Sequence, residues 1–399
     1  MANLAIKGGE ALYTKGFPAW ALSTPEDKEN LKATYASGDW GTDGEQNRRF
    51  AADFAAYSGV KHCIPVANGT VSIELILRGL GIGRGDEVIV PPYTFIASIS
   101  ALIYAGATPV FADIDKDTYL LSPESAEKVI TPRTKAIMPV YVGGRPADLH
   151  AFEALCQKYG LYLIGDAAQA VGSEFDGKGV GNYGIATSIS CQASKNLTCG
   201  EGGIILTNDD ALYARIRQML AGGVGEDGQY HAVGLANGMS EFQAAVLNTQ
   251  LKALPEQITK RMENAAYLTS LLDELPFVYT LKKDPRIDRD SYHLFLFGLR
   301  EDMFKGVSKQ TFIDAVNAEG IPLSPGYMPV YTSPSVNGAY AVKCVGGPVN
   351  VTPDTPVAEQ VSYHEGCWLY HATLLGDREG MEAIAAVLKK VYDNLDELI

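Results

Sequence analysis

Two stretches near the middle of the chain decide the fold: LYLIGDAAQ, residues 161–169, and SCQASKNLTCGEGG, residues 190–203. The first is an apolar run that ends on a carboxylate, which is typical of a buried parallel strand with a ligand site at its carboxyl end. The second continues a β-rich run, sets Lys195 among small and polar residues, and leads through glycines into another apolar strand. Together they predict an α/β sheet with an acid and a lysine at its ligand-binding edge.

Asp166 and Lys195 are the two groups that pyridoxal phosphate chemistry requires. That cofactor needs an amine that forms a Schiff base with its aldehyde, and a carboxylate that keeps its pyridine nitrogen protonated. A strand-end acid often only caps the next helix, and a single lysine is by default a surface residue. Here only small residues adjoin Asp166, and Lys195 lies between a buried strand and a glycine-rich turn. These surroundings favour the cofactor interpretation.

The combined motif resembles the DegT/StrS family of sugar aminotransferases, which have fold type I of the pyridoxal phosphate enzymes. Its residues are Asp-x-Ala-Gln, followed by Ser-x-Gln-x-x-Lys-x-Leu-Thr-x-Gly-Glu-Gly-Gly. The resemblance extends from residues 5–9 to the tail around Trp368. Many members have Ser-Phe-His where this chain has Ser190-Cys-Gln192. The glutamine is more similar to the branch that aminates keto-cyclitols or makes aminohydroxybenzoate.

Strand and helix patterns alternate from His62 onwards, which predicts a mostly parallel sheet covered on both faces. The resemblance likewise implies a large domain with a seven-stranded sheet and a smaller C-terminal α+β domain. We therefore predict the α/β class, with an N-terminal arm at 1–30, a large cofactor-binding domain at 31–260 and a small domain at 261–399. The seven strand candidates are 63–67, 87–91, 108–111, 136–140, 161–165, 185–191 and 203–206.

The amino-acid composition limits the kinds of molecule that the protein could bind and the compartment in which it could lie. The 399 residues carry a net charge of −14, which disfavours a nucleic-acid partner. No apolar run is long enough to span a bilayer, and the first residues lack the pattern of a secretory signal. Six cysteines without metal-like spacing suit a reducing cytosol, and Cys191 and Cys199 are interpreted as packing residues. We expect a cytoplasmic protein without a metal site.

A phosphate site is predicted where a strand ends and a helix begins, at Gly69 and Thr70. Backbone N–H groups at a helix N-terminus and a threonine hydroxyl bind phosphate well, although an N-cap threonine would give the same pattern. The resemblance implies that Ser190 adds a second hydroxyl and that Gln169 hydrogen-bonds the hydroxyl of the cofactor ring. It also implies that Phe95, rather than Tyr93, stacks on that ring; the alternative is a core aromatic residue.

The remaining site residues rest on the resemblance alone. The segment around Asn237 resembles one that crosses a dimer interface to the neighbour's cofactor phosphate, which implies a homodimer with its active site at the interface. The family usually has arginine where this chain has Gly238. Tyr327, Tyr331 and His371 resemble residues near the mouth of the site, where aromatic and hydroxyl groups suit a polyhydroxylated ring. A lone histidine is more often structural.

These features predict an aminotransferase that uses pyridoxal 5'-phosphate on Lys195. The resemblance implies glutamate or glutamine as amino donor and a keto-sugar or keto-cyclitol as acceptor. One alternative is an aromatising aminohydroxybenzoate-type enzyme, which would use the same lysine. A second is a pyridoxamine-dependent sugar dehydratase, whose members typically replace that lysine with histidine. A third is a regulator that binds the cofactor without turnover.

Overall fold

A seven-stranded sheet forms the centre of the molecule in the computed structural model, which describes residues 3–225 and 227–399. The strand order is β1-β7-β6-β5-β4-β2-β3, and β7 runs antiparallel to the other six strands, which are parallel to one another. All seven predicted strands lie in this sheet, so the predicted mostly parallel architecture is confirmed. The strands are β1 (His62–Val66), β2 (Glu87–Val90), β3 (Thr108–Phe111), β4 (Thr134–Ile137), β5 (Tyr162–Asp166), β6 (Ala186–Ser190) and β7 (Gly203–Thr207).

Helices cover both faces of this sheet, which explains why the inner strands are continuous apolar runs. One core includes Phe50, Phe152 and Leu247 from three helices on one face, and a second includes Leu77 and Ile216 on the other. The helices are α1 (Pro25–Ser37), α2 (Glu45–Ser58), α3 (Gly69–Gly79), α4 (Ile96–Ala105), α5 (Pro123–Lys128), α6 (Leu149–Tyr159), α7 (Asp210–Leu220) and α8 (Glu241–Leu272).

The C-terminal part is a smaller α+β unit, as predicted. Its four antiparallel strands have the order β8-β9-β11-β10. Its hydrophobic core is formed where α9 and α12 pack against this sheet. The long helix α8 continues past residue 260, so the predicted domain boundary falls inside it. The elements are β8 (Val278–Thr280), β9 (Leu294–Leu299), α9 (Lys309–Ala318), β10 (Leu323–Ser324), α10 (Ala339–Val345), α11 (Pro356–Gln360), β11 (Gly366–Tyr370) and α12 (Arg378–Asp393).

The N-terminal arm is attached to the small unit by one buried carboxylate. Glu319 is fully buried and accepts hydrogen bonds from the backbone N–H groups of Ala5 (2.9 Å) and Leu12 (2.8 Å) and from Lys390 Nζ (2.7 Å). The first two residues of the predicted arm, 1–30, lie outside the described residues. Because α1 begins at Pro25, the last part of that range is helical.

We expect the Glu319→Ala variant to lower the free energy of unfolding by about 3–5 kcal/mol, because it leaves Lys390 and two backbone donors without their buried partner. Amide exchange at Ala5 and Leu12 would accelerate. Chemical denaturation followed by hydrogen exchange measures both effects. The control is Glu379→Ala, since Glu379 pairs with Lys15 at the exposed surface and should contribute less than about 1 kcal/mol. Equal losses in the two variants would contradict this role for Glu319.

Among residues 3–225 and 227–399, no helix has both the length and the apolar composition needed to cross a bilayer.

Candidate active site

A cavity of about 790 Å³ opens at the carboxyl edge of the central sheet and extends to the small unit. Parallel α/β sheets place ligand sites at this edge, because the loops after the strands converge there. The fold brings together eight of the residues predicted from the sequence, which line the cavity: Gly69, Thr70, Phe95, Asp166, Gln169, Ser190, Lys195 and Tyr327. Three other predicted residues, Asn237, Tyr331 and His371, do not line it.

One corner of the cavity is formed by the N-terminus of α3 and the end of β6. The Asn68 side chain caps the helix by accepting from the Val71 N–H (3.0 Å), so the N-cap is Asn68 and not Thr70. A Cβ added to Gly69 would lie 2.9 Å from Ser190 Cβ, so glycine is what allows the helix to approach the strand. This corner presents backbone N–H groups and two hydroxyls to the cavity, an arrangement that suits an anion.

Asp166, at the end of β5, is 2% exposed. Its carboxylate accepts hydrogen bonds from Ser98 Oγ (2.7 Å) and from the Ala168 N–H (3.1 Å). Burial raises the pKa of this carboxyl, which the two hydrogen bonds and the charge of Lys195 partly oppose. The acid therefore lacks a full countercharge within the protein. Sequence analysis did not identify Ser98, which is an ordinary helix serine until the fold places α4 beside β5.

Lys195 lies in the loop after β6, and contacts from two directions hold its backbone. Its N–H donates to the Gln192 carbonyl (2.8 Å), and its carbonyl accepts from Trp20 Nε1 (3.1 Å). Burial lowers the pKa of the lysine to about 8, although the charge of Asp166 acts in the opposite direction. Near neutral pH a much larger fraction of this side chain is therefore a free amine than for an ordinary lysine, as a nucleophile or base requires.

The Gln169 side chain hydrogen-bonds two separate segments at the cavity. Its Oε1 accepts from the Gly143 N–H (2.7 Å) and its Nε2 donates to the Tyr327 hydroxyl (2.8 Å). Tyr93 is 1% exposed and packs edge-on against Tyr327, with 5.7 Å between the ring centroids. Phe95, in contrast, is 57% exposed and lines the cavity. Of these two rings, Phe95 is therefore the one with a free face for a planar ligand.

Tyr331 and His371, which the sequence analysis predicts near the mouth of the site, do not line the cavity. Tyr331 is 4% exposed, packs edge-on against Phe111 and donates its hydroxyl to Glu359 (2.7 Å). His371 is 1% exposed, and its Nε2 contacts the carbonyl of Ser194 (2.9 Å), the residue before the lysine. Burial lowers the pKa of His371 to about 3, so this ring is neutral. It packs against the loop that carries Lys195, on the side away from the cavity.

Asn237 lies outside the cavity of its own chain. Its carbonyl accepts from the Ala67 N–H (2.8 Å), which fixes the segment beside the end of β1. A Cβ at Gly238 would lie 2.7 Å from Thr42 Cβ, which gives a local reason for glycine at this position. The interface role of Asn237 stays a prediction.

His293 is a cavity residue that the sequence analysis did not identify as functional. It directly precedes β9. In the structure it lines the cavity together with Lys195, and its Nδ1 lies 3.0 Å from Asn196 Oδ1. No sequence motif marked it, because the small unit and the lysine loop are far apart along the chain.

The comparison with known proteins decides the family. Residues 22–388 match the model of the DegT/DnrJ/EryC1/StrS aminotransferase family. The chain belongs to this family. It is 37% identical to an L-glutamine:2-deoxy-scyllo-inosose aminotransferase from Streptoalloteichus tenebrarius, over 99% of both chains. The predicted family and enzyme class are therefore confirmed.

Two solved structures agree with this assignment. A 3-amino-5-hydroxybenzoic acid synthase superposes with a TM-score of 0.87 at 31% identity, covering 96% of this chain and 99% of the other. DesI, solved in the presence of its TDP-sugar product, superposes with a TM-score of 0.85 at 30% identity, covering 99% and 98%. The predicted fold type I architecture is therefore confirmed over almost the whole chain.

Proposed function

We propose that this family member transfers an amino group from L-glutamine or L-glutamate to the ketone of a cyclitol or sugar, with pyridoxal 5'-phosphate attached at Lys195. The observation that carries the proposal is a buried acid and a half-buried lysine that face one cavity without forming an ion pair. The similarity to an L-glutamine:2-deoxy-scyllo-inosose aminotransferase over the full length supports the donor and the cyclitol class.

The chemistry of the cavity fits pyridoxal phosphate. A pyridinium N–H would give Asp166 the countercharge that the protein lacks, and the amine of Lys195 would react with the aldehyde. The corner of Gly69, Thr70 and Ser190 would bind the phosphate through N–H groups and hydroxyls. Phe95 would lie against one ring face and Gln169 near the ring hydroxyl. When bound, the cofactor supplies a ring that withdraws electrons from the carbon being deprotonated.

The chain's own residues then have separate roles. Lys195 Nζ, as a free amine, takes the proton from the α-carbon of the amino donor and returns a proton in the second half of the reaction. Asp166 keeps a positive charge on the bound ring, which stabilises the developing negative charge. Ser98 holds the Asp166 carboxylate in place by donating to Oδ2 (2.7 Å). Catalysis thus depends on the depressed pKa of the lysine and on the buried, hydrogen-bonded acid.

A cytoplasmic homodimer forms part of this proposal. The segment that carries Asn237 also exposes two apolar side chains, since Tyr230 is 79% exposed and Val233 is 86% exposed. Exposed apolar groups close together favour burial against another surface. A second copy of the chain would cover them and would bring Asn237 towards the phosphate corner of the neighbouring site. The six cysteines, which have no metal-like spacing, suit a reducing cytosol and support the cytoplasm.

An aminohydroxybenzoate-type reaction is the alternative with a specific observation in its favour, namely the similarity to the 3-amino-5-hydroxybenzoic acid synthase structure. Such an enzyme would use Lys195 in the same way, so the lysine does not separate the two. A dehydratase that relies on pyridoxamine phosphate is disfavoured, because its members replace this lysine.

We expect the protein loaded with pyridoxal phosphate to have a visible absorbance band that disappears with L-glutamine and returns with a suitable ketone. 2-Deoxy-scyllo-inosose and a set of keto-sugars would be tested, with mass spectrometry for the amine product. Reactions without the ketone are the control. An aromatic product absorbing in the near ultraviolet would favour the alternative. A band that does not respond to any amino donor would contradict an aminotransferase reaction.

A further inference from the structure

His293 lies in the wall of the cavity, and a chain of contacts fixes its position. The Asn196 amide donates through Nδ2 to the Ser291 carbonyl (2.7 Å), so its Oδ1 faces His293 Nδ1 at 3.0 Å. The neighbouring ring of His371 stacks on His293 with 5.5 Å between centroids and 26° between planes. These contacts tie the lysine loop to the start of β9 and fix one orientation of the imidazole.

The same contacts determine which nitrogen carries the proton. Because Asn196 presents its carbonyl oxygen, His293 Nδ1 must donate, and Nε2 of the neutral ring is then an acceptor. Burial lowers the pKa of His293 well below its ordinary value, and the charges of Lys195 and Arg261 act in the same direction. The ring therefore stays neutral, and Nε2 is the ring nitrogen left to face a ligand.

The partner of this nitrogen must be a hydrogen-bond donor. A carboxylate is unsuitable, because Nε2 offers a lone pair and no proton. Within the described residues no hydrogen bond joins Nε2 to Lys195 or to any other side chain, whereas Nδ1 is satisfied. A cyclitol or sugar carries several hydroxyls, each of which can donate to such an acceptor.

We propose that His293 is a specificity-determining residue whose Nε2 accepts a hydrogen bond from a hydroxyl of the polyhydroxylated acceptor substrate. The inference rests on the proposed function, in that it assigns part of the acceptor site. The carboxamide N–H groups of glutamine could also donate to Nε2, so the test measures the donor step separately from cyclitol binding. The residue acts by binding, and Lys195 keeps the proton-transfer role.

The test compares His293→Phe, which removes the acceptor, with His293→Gln, which retains an oxygen acceptor near the same position. We expect His293→Phe to raise the KM for the keto-cyclitol about tenfold, the value of one ordinary hydrogen bond, with little change in kcat. Calorimetry with scyllo-inositol, an unreactive cyclitol, should show a similar weakening without any turnover. His293→Gln should restore most of both values.

The rate at which L-glutamine removes the visible absorbance band is the matched internal control, and it should not change in His293→Phe. Unchanged affinity for scyllo-inositol in His293→Phe would overturn the proposal. A slower donor step with unchanged cyclitol affinity would also overturn the proposal. It would indicate that His293 acts through Lys195 and not on the acceptor substrate. If the wild-type band never responds to an amino donor, the proposed function fails, whereas scyllo-inositol binding still tests His293.

A further variant changes the protonation state of the ring without removing the ring. Asn196→Asp has nearly the same shape but loses the Nδ2 hydrogen bond to the Ser291 carbonyl, and its carboxylate draws a second proton to the imidazole and makes Nε2 a donor. We expect scyllo-inositol to bind about tenfold more weakly to this variant as well. Nitrogen-15 NMR of histidine-labelled protein, with the His293 signal identified by its loss in His293→Gln, should show Nδ1 protonated in the wild type. A wild-type ring protonated at Nε2 would contradict the proposal.

Discussion

We expect the Lys195→Ala variant to lose amino transfer by a factor on the order of 10⁴ or more, because it removes both the attachment point of the cofactor and the proton-transfer group. The variant should fold, since the lysine side chain is not part of an ion pair or hydrogen bond among the described residues. It should also lack the visible absorbance band that pyridoxal phosphate gives in the wild type. Absorbance spectra and single-turnover rates measure these effects.

The pH dependence of lysine reactivity gives a second measurement for the same residue. With its pKa lowered to about 8, Lys195 is mostly protonated below pH 8 and mostly a free amine above it. In the cofactor-free protein, the rate of its modification by an amine-directed reagent should therefore rise with pH and reach half its maximum near pH 8. An ordinary surface lysine would still be mostly protonated there. A midpoint near that of surface lysines would contradict the buried environment.

Lys309 provides the matched control, because burial also lowers its pKa. Its Nζ is engaged by backbone carbonyls, including those of Pro325 (2.7 Å) and Gly366 (3.1 Å), and it does not line the cavity. Lys309→Met should therefore lower stability, while the absorbance band at Lys195 remains. Loss of the band in Lys309→Met with an intact fold would place the cofactor attachment elsewhere.

We expect Asp166→Asn to lower kcat by about 10²- to 10³-fold, because asparagine cannot supply the charge that holds the bound ring protonated, and a broken buried ion pair costs about 3–5 kcal/mol. In the cofactor-free protein, by contrast, the same substitution should be favourable, because it should stabilise the fold. At neutral pH, burial of an ionised carboxylate without an ion pair costs free energy that an amide does not, so the variant should have a higher free energy of unfolding.

The sign follows from the raised pKa of Asp166. The folded protein holds this proton more tightly than the unfolded chain, so the wild type loses stability as pH rises through the window above the ordinary aspartate pKa. Asp166→Asn has no titrating group at this position, so it should not show this loss of stability with rising pH. Denaturation curves across pH, together with cofactor binding, measure the two effects.

Asp290→Asn is the control for the acid. Asp290 is 7% exposed, pairs with Arg145 (3.4 Å) and lies outside the cavity. Burial raises the pKa of Asp290 as well, which the charge of Arg145 partly opposes, so Asp290→Asn should change stability in the same direction as Asp166→Asn while cofactor affinity stays unchanged. If Asp290→Asn lowered cofactor affinity as much as Asp166→Asn, the functional assignment of Asp166 would be wrong.

The sequence alone determined the fold class and was sufficient to predict the two residues that we propose as reactive groups. The strands that became β1 to β7 are continuous apolar runs, and such runs report burial on both faces without any tertiary information. Asp166 and Lys195 each follow directly from one of these strands. Their position at the ligand-binding edge was therefore a consequence of local pattern and of the rule that parallel strands end together.

The tertiary structure alone decided which histidine reaches the cavity. Strands β9 and β11 pair with Leu294 opposite Tyr370, so His293 and His371 are neighbours at one end of the small sheet. The sequence analysis predicted a substrate contact for His371, whereas in the structure its Nε2 contacts the Ser194 carbonyl. Which ring faces the cavity depends on packing against Trp20 and on the hydrogen bond to Asn196. Those partners lie far away in the sequence, and no local pattern encodes such contacts.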